Sequence, residues 1–102
     1  DLAGGGMRFE WDRAKSEANQ KKHGVSFEEA QTVFFEDSAV IFDDPDHSRE
    51  EQRFLLLGAS DARRILVVAH CYREEEELVR IISAREATRR EREAFLAVRK
   101  KP

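Results

Sequence analysis

Residues 80–95 read RIISAREATRREREAF, and this stretch joins an apolar strand pattern to an arginine-rich helical pattern. The apolar residues around Arg80 predict a strand over residues 78–82, on which Arg80 faces away from its apolar neighbours. The residues that follow predict a helix over residues 84–99. Arginine is costly on a covered strand, whereas the N-terminus of a helix favours an anion. The junction therefore predicts a surface that handles phosphate.

The predicted start of this helix has the form of a capping box. Ser83 is a candidate N-cap residue, and Glu86 follows three residues later. This assignment places Arg85 in the first helical turn, where a cation is slightly unfavourable unless an anion lies between it and the backbone N–H groups. The alternative is an ion pair between Arg85 and a carboxylate such as Glu51 or Glu86.

Upstream of this junction, hydrophobic periodicity and turn residues predict four further strands and two helices. The strands are expected over residues 8–11, 39–42, 53–57 and 65–71, the last of them central, and the helices over residues 13–22 and from 27 onward. Asp12 is a candidate N-cap, and Gly24 ends the first helix. Ser26 and Glu29 match a capping box.

The order of these elements predicts the fold class. The order is β-α-α-β-β-β-β-α, with loops too short for crossover connections, so successive strands should pair in antiparallel fashion. An N-terminal helical hairpin and a C-terminal helix would pack on one face of this sheet. The sequence therefore predicts an α+β two-layer domain.

The composition limits the class of protein. Residues 1–6 are interpreted as an expression remnant, and residues 7–102 as a single small domain with one core. No apolar run reaches the roughly 20 residues of a membrane span, and no signal peptide follows Met7, so a cytoplasmic protein without membrane contact is expected. Cys71 is the only cysteine, which excludes an intrachain disulfide and a cysteine-based zinc site.

The net charge of −3 hides an asymmetry between the two halves of the chain. Residues 1–51 carry 6 basic and 13 acidic side chains, a net charge of −7, whereas residues 52–102 carry 12 basic and 8 acidic side chains, a net charge of +4. Most basic residues of the second half are arginines, which favour bidentate contacts with phosphate or carboxylate. The alternative is two solvated faces of opposite sign.

Four basic residues are predicted to converge at one end of two neighbouring strands: His70, Arg73, Arg80 and Arg85. A histidine can transfer a proton near neutral pH, and arginines can stabilise the charge that develops on a phosphate during its transfer. Tyr72 adds a surface on which a nucleic-acid base could stack. The alternative for His70 is a structural role in a β-hairpin.

Three other charged groups have simpler explanations. Lys22 and His23 lie at the end of the first helix, where the helix dipole favours positive charge. The run Glu74–Glu77 is interpreted as a solvated hairpin tip, because four carboxylates beside a phosphate site would otherwise repel RNA. His47 follows an aspartate-rich turn, but the three histidines show no ligand spacing, so no metal ion or cofactor is expected.

Several segments occur in a consistent order over about residues 7–95. They are FEWD at residues 9–12, KHGVSF at residues 22–27 and RIISAR at residues 80–85, with Lys15, Asn19, Glu29, Ala30, Arg53, Gly58, Ala87 and Thr88 between and after them. Together these segments resemble the BrnT toxin family. The chain departs from the family pattern at Gln52 and at the acidic run Glu74–Glu77.

This resemblance implies a RelE-like fold and a ribonuclease toxin of a type II toxin–antitoxin system, with residues 7–102 as the toxin domain. It implies a BrnA-type antitoxin that binds and inhibits the toxin, and operator DNA that is bound only through the toxin–antitoxin complex. RNA would be cleaved without a metal ion by attack of the ribose 2′-OH, which would inhibit translation. The alternative is a non-catalytic protein-binding module with an arginine-rich docking surface. A DNA-binding repressor that acts alone is disfavoured.

The resemblance also implies roles for individual residues. The basic functional positions of the family correspond to Arg73 and Arg85, of which Arg85 is the stronger candidate, and His70 and Arg80 are added on the geometric argument above. A second set is expected to bind RNA: Lys22, His23, Arg53 and Tyr72. The acid or base of the reaction would be His70 or a lysine such as Lys22.

Overall fold

A computed structural model describes residues 7–45, 52–74 and 77–99 of the chain. Its elements are β1 (Arg8–Glu10), α1 (Arg13–His23), α2 (Phe27–Thr32), a 3₁₀ turn (Val33–Phe35), β2 (Val40–Asp43), β3 (Phe54–Ala59), β4 (Ile65–Arg73), β5 (Leu78–Glu86) and α3 (Arg89–Arg99). The five strands form one sheet in the order β1-β5-β4-β3-β2. The predicted α+β class and the central position of the strand at residues 65–71 are confirmed.

The direction of β1 differs from the expectation of an antiparallel sheet. The strands β2 to β5 form antiparallel pairs, as their short loops require, but β1 lies parallel to β5. The all-antiparallel prediction is therefore wrong for this strand. Because two helices rather than a tight turn follow β1, no hairpin imposes an antiparallel partner on it.

Helices cover both faces of the sheet. On the hairpin face, α1 and α2 enclose the larger core, whose buried residues are Val25, Phe27, Ala30, Val33, Leu56, Leu66, Val68, Val79, Ile81 and Ala84. On the opposite face, the α3 face, Phe95 of α3 packs in a smaller cluster with Leu57, Val67 and Ala87. The two-layer prediction is therefore wrong. The central strands carry consecutive apolar residues that point to opposite faces, so both faces need cover.

A β-bulge between β4 and β5 decides which side chains share the α3 face. The pairing register shifts between Ala69 and His70, which leaves Ile82 as an extra residue on β5. Strict alternation along β5 would place Arg80 and Arg85 on opposite faces of the sheet. The extra residue reverses the alternation, so both arginines lie on the α3 face.

The strand β5 is longer than predicted, and α3 starts later. Because β5 pairs with β4 as far as Glu86, the predicted helix start at Ser83 is wrong. The helix begins instead after a capping box formed by Thr88 and Glu91. The Glu91 amide donates to Thr88 Oγ1 at 3.1 Å, and the Thr88 amide donates to Glu91 Oε1 at 2.8 Å. The sequence contains two possible capping boxes, and pairing within the sheet selects the second.

The predicted ends of the first two helices are confirmed. Asp12 caps α1, because its Oδ1 accepts a hydrogen bond from the Lys15 amide at 3.0 Å. Gly24 ends α1 with a left-handed φ of 73°, a conformation that glycine adopts without steric cost. Ser26 caps α2, because its Oγ accepts from the Glu29 amide at 3.0 Å. Each of these capping residues acts on a backbone group only three or four residues away, so the sequence alone can predict them.

Asn19 on α1 completes the outer edge of β5. Because β1 pairs only with Leu78–Arg80, the backbone of Ala84 has no strand partner on that side. The Asn19 amide group supplies one: its Oδ1 accepts from the Ala84 N–H at 3.1 Å, and its Nδ2 donates to the Ala84 carbonyl at 2.8 Å. The same Nδ2 donates to the carbonyl of Val25 at 2.9 Å. One buried side chain therefore joins the helical hairpin to the sheet.

Candidate functional site

Two arginines and one carboxylate meet on the α3 face, at the end of the sheet where β4 finishes and β5 begins. Arg80 Nη1 donates to Glu10 Oε2 at 2.9 Å, and Arg73 Nε lies 3.5 Å from the same oxygen. The exposed fractions of the side chains are 30% for Arg80, 47% for Arg73 and 37% for Glu10. The cluster is thus partly buried but open to solvent on one side.

Three strands assemble this cluster: the consecutive strands β4 and β5, and β1 from the start of the chain. The parallel pairing of β1 with β5 places Glu10 opposite Arg80. On the other side of β5, Cys71 of β4 lies opposite Arg80, and Arg73 follows two residues later on the same face. Arg53 precedes β3, which begins opposite the same end of β4, so it lies at this end of the sheet as well.

Arg80 retains hydrogen-bond donors that no described residue uses. Within the described residues, its guanidinium bonds only to Glu10, through Nη1, so that Nε and Nη2 have no protein acceptor. A guanidinium carries five N–H donors in a fixed plane, which suits bidentate binding of a phosphate. The arrangement can therefore accept an anion without breaking the contact with Glu10.

A further ion pair lies at the edge of this cluster. Arg8 Nη2 donates to Glu74 Oε2 at 2.7 Å, with both side chains more than half exposed. Glu74 opens the turn between β4 and β5 with a φ of 53°. The middle of the acidic run, residues 75–76, lies outside the described residues. Among Arg8, Arg73, Arg80, Glu10 and Glu74, the formal charge is +1, so the cluster stays attractive to an anion.

Arg85 forms an ion pair with a carboxylate, as the alternative expected, but the partner is Glu91 rather than Glu51 or Glu86. Its Nη1 and Nη2 donate to Glu91 Oε1 and Oε2 at 2.7 and 2.9 Å, and Nη1 also donates to the carbonyl of Glu86 at 3.2 Å. The hydrogen bond from Arg85 is the largest cause that lowers the pKa of Glu91 to about 2, and the same contact raises the pKa of Arg85. Arg85 therefore joins β5 to the first turn of α3, and it is not in a helical turn itself.

His70 does not meet the arginines. It is fully buried on the hairpin face, where its ring contacts Phe34 with centroids 4.8 Å apart. Its Nδ1 lies 3.1 Å from the carbonyl of Val68, and its Nε2 lies 3.2 Å from Tyr72 Oη, so one nitrogen donates and the other accepts. Burial lowers the pKa of His70, which favours the neutral ring. The predicted convergence of four basic groups is therefore wrong.

The remaining predicted RNA contacts lie apart from the arginine cluster. Tyr72 is on the hairpin face and packs against Phe54, with ring centroids 5.4 Å apart. Lys22 and His23 occupy the last turn of α1. This turn lies near the opposite end of β5, since Arg64 bonds to both the Gly24 carbonyl and Glu86. Arg80 and Glu86 are six residues apart on one strand, a distance of roughly 20 Å.

The described residues hold no group of three metal-ligating side chains, and His47 lies outside them. A groove of about 400 Å³ lies along α1, lined by Trp11, Arg13, Ser16, Glu17, Gln20 and Glu28. None of the predicted site residues lines this groove. None of the helices in the described part of the chain has the length and apolar character that crossing a bilayer requires.

The fold and the site define a small α+β domain with an exposed cluster of arginines on one sheet face. Residues 11–91 match the family described as "Ribonuclease toxin, BrnT, of type II toxin-antitoxin system", and the chain belongs to this family. The fold is similar to the 1.1 Å crystal structure of the Brucella abortus ribonuclease toxin BrnT, with a TM-score of 0.63 and 25% sequence identity. That match covers 81% of this chain and 99% of the Brucella chain. No curated protein matches the sequence.

Family membership confirms the resemblance that the sequence segments predicted, and with it an antitoxin partner and an RNA substrate at the level of the family. The roles of individual residues stay predictions. Sequence reasoning missed Glu10 as a member of the site and Glu91 as the partner of Arg85. The T-x-x-E pattern at residues 88–91 could have indicated that Glu91 lies at the start of a helix close to Arg85. No pattern near residue 10 indicates that β1 lies beside Arg80.

Proposed function

We propose that this chain is an endoribonuclease toxin in which Arg73 and Arg80 bind the scissile phosphate. The observation that supports the assignment is that Nε and Nη2 of Arg80 have no acceptor among the described residues, beside Arg73, at a partly exposed end of the α3 face. In the proposed reaction the ribose 2′-OH attacks the adjacent phosphate, so the nucleophile comes from the substrate and no metal ion is needed. The arginines would orient the phosphate and stabilise the charge that it gains in the transition state.

The arginines proposed to bind phosphate differ from those that the sequence favoured. Arg85, the stronger candidate from sequence, already has a bidentate carboxylate partner in Glu91. A phosphate would have to displace that carboxylate before it could bind. We therefore assign Arg85 to the attachment of α3, and we place substrate binding at Arg73 and Arg80, with Arg53 at the same end of the sheet as a further RNA contact. Lys22, His23 and Tyr72 are left outside this primary site.

The proposed biological role follows the family. The toxin would act on cytoplasmic RNA and inhibit translation until a BrnA-type antitoxin covers it. The toxin–antitoxin complex, rather than the toxin alone, would bind operator DNA.

The experiment compares purified variants on bulk cellular RNA in the presence of EDTA. The wild-type protein is expected to cleave RNA, and Arg73→Ala and Arg80→Ala are each expected to slow cleavage by about 100-fold or more. Arg89→Ala is the matched control, because Arg89 is 85% exposed and, among the described residues, pairs only with Glu93 on the surface of α3. Arg85→Ala should lower stability while the folded protein keeps its cleavage rate within about threefold.

Growth of cells that express each variant gives the second measurement. Arg73→Ala and Arg80→Ala should restore growth, whereas Arg89→Ala should stay toxic. Unchanged toxicity in both site variants would refute the assignment of the site. A wild-type protein that binds partners but leaves RNA intact would instead support the non-catalytic binding module.

A further inference from the structure

The cluster contains a carboxylate whose role the phosphate-binding proposal leaves open. We infer that Glu10 is the general base that accepts the proton of the attacking 2′-OH, an inference that rests on the proposed ribonuclease function. Glu10 Oε2 is held by Arg80 at 2.9 Å and lies 3.5 Å from Arg73 Nε. A phosphate that binds the remaining donors of Arg80 therefore lies next to this carboxylate.

The other candidates for the base are in the wrong place. His70 is fully buried on the opposite face of the sheet, and both ring nitrogens have partners there. Lys22 lies in the last turn of α1, near the opposite end of β5 from Arg80. Glu74 is at the correct end of the sheet, but among the described residues its ion-pair partner is Arg8 rather than Arg73 or Arg80. Glu10 is the one carboxylate among the described residues that contacts both Arg73 and Arg80.

The two carboxylate oxygens of Glu10 are not equivalent. Oε2 makes the contacts with both arginines, whereas Oε1 has no hydrogen-bond partner among the described residues. The contacts with the two arginines hold Oε2, and they leave lone pairs on Oε1 for a proton. A general base must lie within hydrogen-bond reach of the proton that it removes, and it works best when its position is fixed in advance. Glu10 meets both conditions for a substrate bound at Arg80.

The proposed step moves one proton and exchanges one bond at phosphorus for another. The 2′-O–H bond breaks and its proton moves to Glu10 Oε1, while the 2′-oxygen forms a bond to phosphorus. The bond from phosphorus to the 5′-oxygen then breaks, which yields a 2′,3′-cyclic phosphate and a leaving 5′-oxygen that takes a proton from water. Glu10 returns its proton to solvent, so the protein ends the cycle unchanged.

Glu10 must be ionised to act as a base, so cleavage should depend on pH. The groups that face it are Arg80 from β5, Arg73 from β4, and Arg8 with its partner Glu74 at the sheet edge. The Cys71 thiol lies opposite Arg80 on β4 and completes this set. A general base accepts a proton only in its deprotonated form, so the cleavage rate of the wild-type protein is expected to fall in acid.

The test uses Glu10→Gln, which keeps the size and an acceptor oxygen but cannot take up the proton. Single-turnover cleavage of an oligoribonucleotide is measured across pH, and binding is measured with the same oligonucleotide carrying a 2′-deoxy sugar at the cleaved position. Cleavage by Glu10→Gln is expected to fall by about 100-fold to 10,000-fold and to lose its acid dependence. Binding of the 2′-deoxy probe should stay equal or become tighter, because a negative charge beside the phosphate is removed.

Two further variants control for structure. Glu17→Gln neutralises an exposed carboxylate on α1 that pairs with Arg13, outside the arginine cluster, and it should keep the wild-type rate and pH profile. Glu10→Ala should be as slow as Glu10→Gln, and added formate should raise its rate by at least tenfold because formate supplies a carboxylate to the vacated space. A purely structural role for Glu10 would not produce this rescue.

The outcomes separate the two proposals. Slow cleavage by Glu10→Gln with intact binding, a lost acid dependence and formate rescue of Glu10→Ala would support the inference. A Glu10→Gln rate within threefold of wild type, or a loss of cleavage that matches an equal loss of binding, would overturn it while the arginine site stands. Absence of any cleavage by the wild-type protein would refute the ribonuclease function itself.

Discussion

Neutralising Glu91 tests whether Arg85 holds α3 to the sheet. In Glu91→Gln the bidentate ion pair with Arg85 is replaced by at most one neutral hydrogen bond, and the contact with the Thr88 amide weakens as well. The substitution keeps the size of the side chain, so the packing of Phe95 against the sheet should not change. Any loss of stability then reports the charge on Glu91.

The magnitude follows from the pKa of Glu91. Its value of about 2, against an ordinary 4.5, corresponds to at most about 3 kcal/mol of stability at neutral pH. The side chains of Arg85 and Glu91 are 39% and 31% exposed, so solvent screening reduces the expected effect to about 1–2 kcal/mol. Because the pKa is lowered on folding, this stability is complete above about pH 5 and is lost as the pH falls towards 2.

Urea denaturation at pH 7 and pH 3 measures the effect. Glu91→Gln is expected to lower the free energy of unfolding by about 1–2 kcal/mol at pH 7, and its difference from wild type should shrink by about half at pH 3. Glu93→Gln is the matched control on the same helix. It disrupts the exposed Arg89–Glu93 pair, whose nitrogen and oxygen are 3.2 Å apart, and should cost about 0.3 kcal/mol. Equal effects of the two variants at pH 7 would refute the role of Arg85 as the attachment point of α3.

Three further substitutions test the scaffold around the site. Asn19→Ala removes the amide group that bonds both backbone groups of Ala84, and chemical denaturation should show a loss of about 2–4 kcal/mol; a loss below 1 kcal/mol would contradict this role. His70→Gln should keep the cleavage rate within about threefold of wild type at pH 7. Burial lowers the pKa of His70 in the folded protein, so the unfolded chain takes up the proton first and the wild-type protein loses stability as the pH falls below about 6.5. His70→Gln should lose less stability over the same pH range. A large loss of cleavage by a folded His70→Gln protein would instead support a catalytic role for His70. Gly58→Ala would place a Cβ 2.8 Å from that of Ala39, so thermal unfolding should show a free energy of unfolding lower by about 1–3 kcal/mol. An unchanged melting temperature would show that the strands at Gly58 and Ala39 move apart without cost.

The choice between Arg80 and Arg85 shows how an internal partner changes the interpretation of an arginine. Both lie on the α3 face of one strand, and both are partly buried. From sequence, Arg85 is the stronger candidate because it matches a basic position of the family and because a helix start is expected beside it. In the structure, Glu91 fills the bidentate position that a phosphate would take, while two donor positions of Arg80 have no described partner. In the proposed site, Arg80 rather than Arg85 therefore binds the phosphate.

Much of the fold is readable from sequence because its signals are local. The ends of α1 and α2 depend on Asp12, Gly24 and Ser26, each of which acts on a backbone group within four residues. The central strand is readable because residues 65–71 are apolar almost without interruption. The segments that resemble the BrnT family are short and contiguous, and the family match over residues 11–91 confirms them.

What the sequence by itself determined was the set of helices and strands, the family, and the arginine-rich character of the second half. The tertiary structure alone decided which charged groups meet. The extra residue Ile82 places Arg80 and Arg85 on one face of the sheet. The parallel pairing of β1 places Glu10 beside Arg80. His70 is buried in the core on the hairpin face. The physical reason is that caps and periodicity depend on neighbours along the chain, whereas strand register depends on contacts between segments up to 70 residues apart.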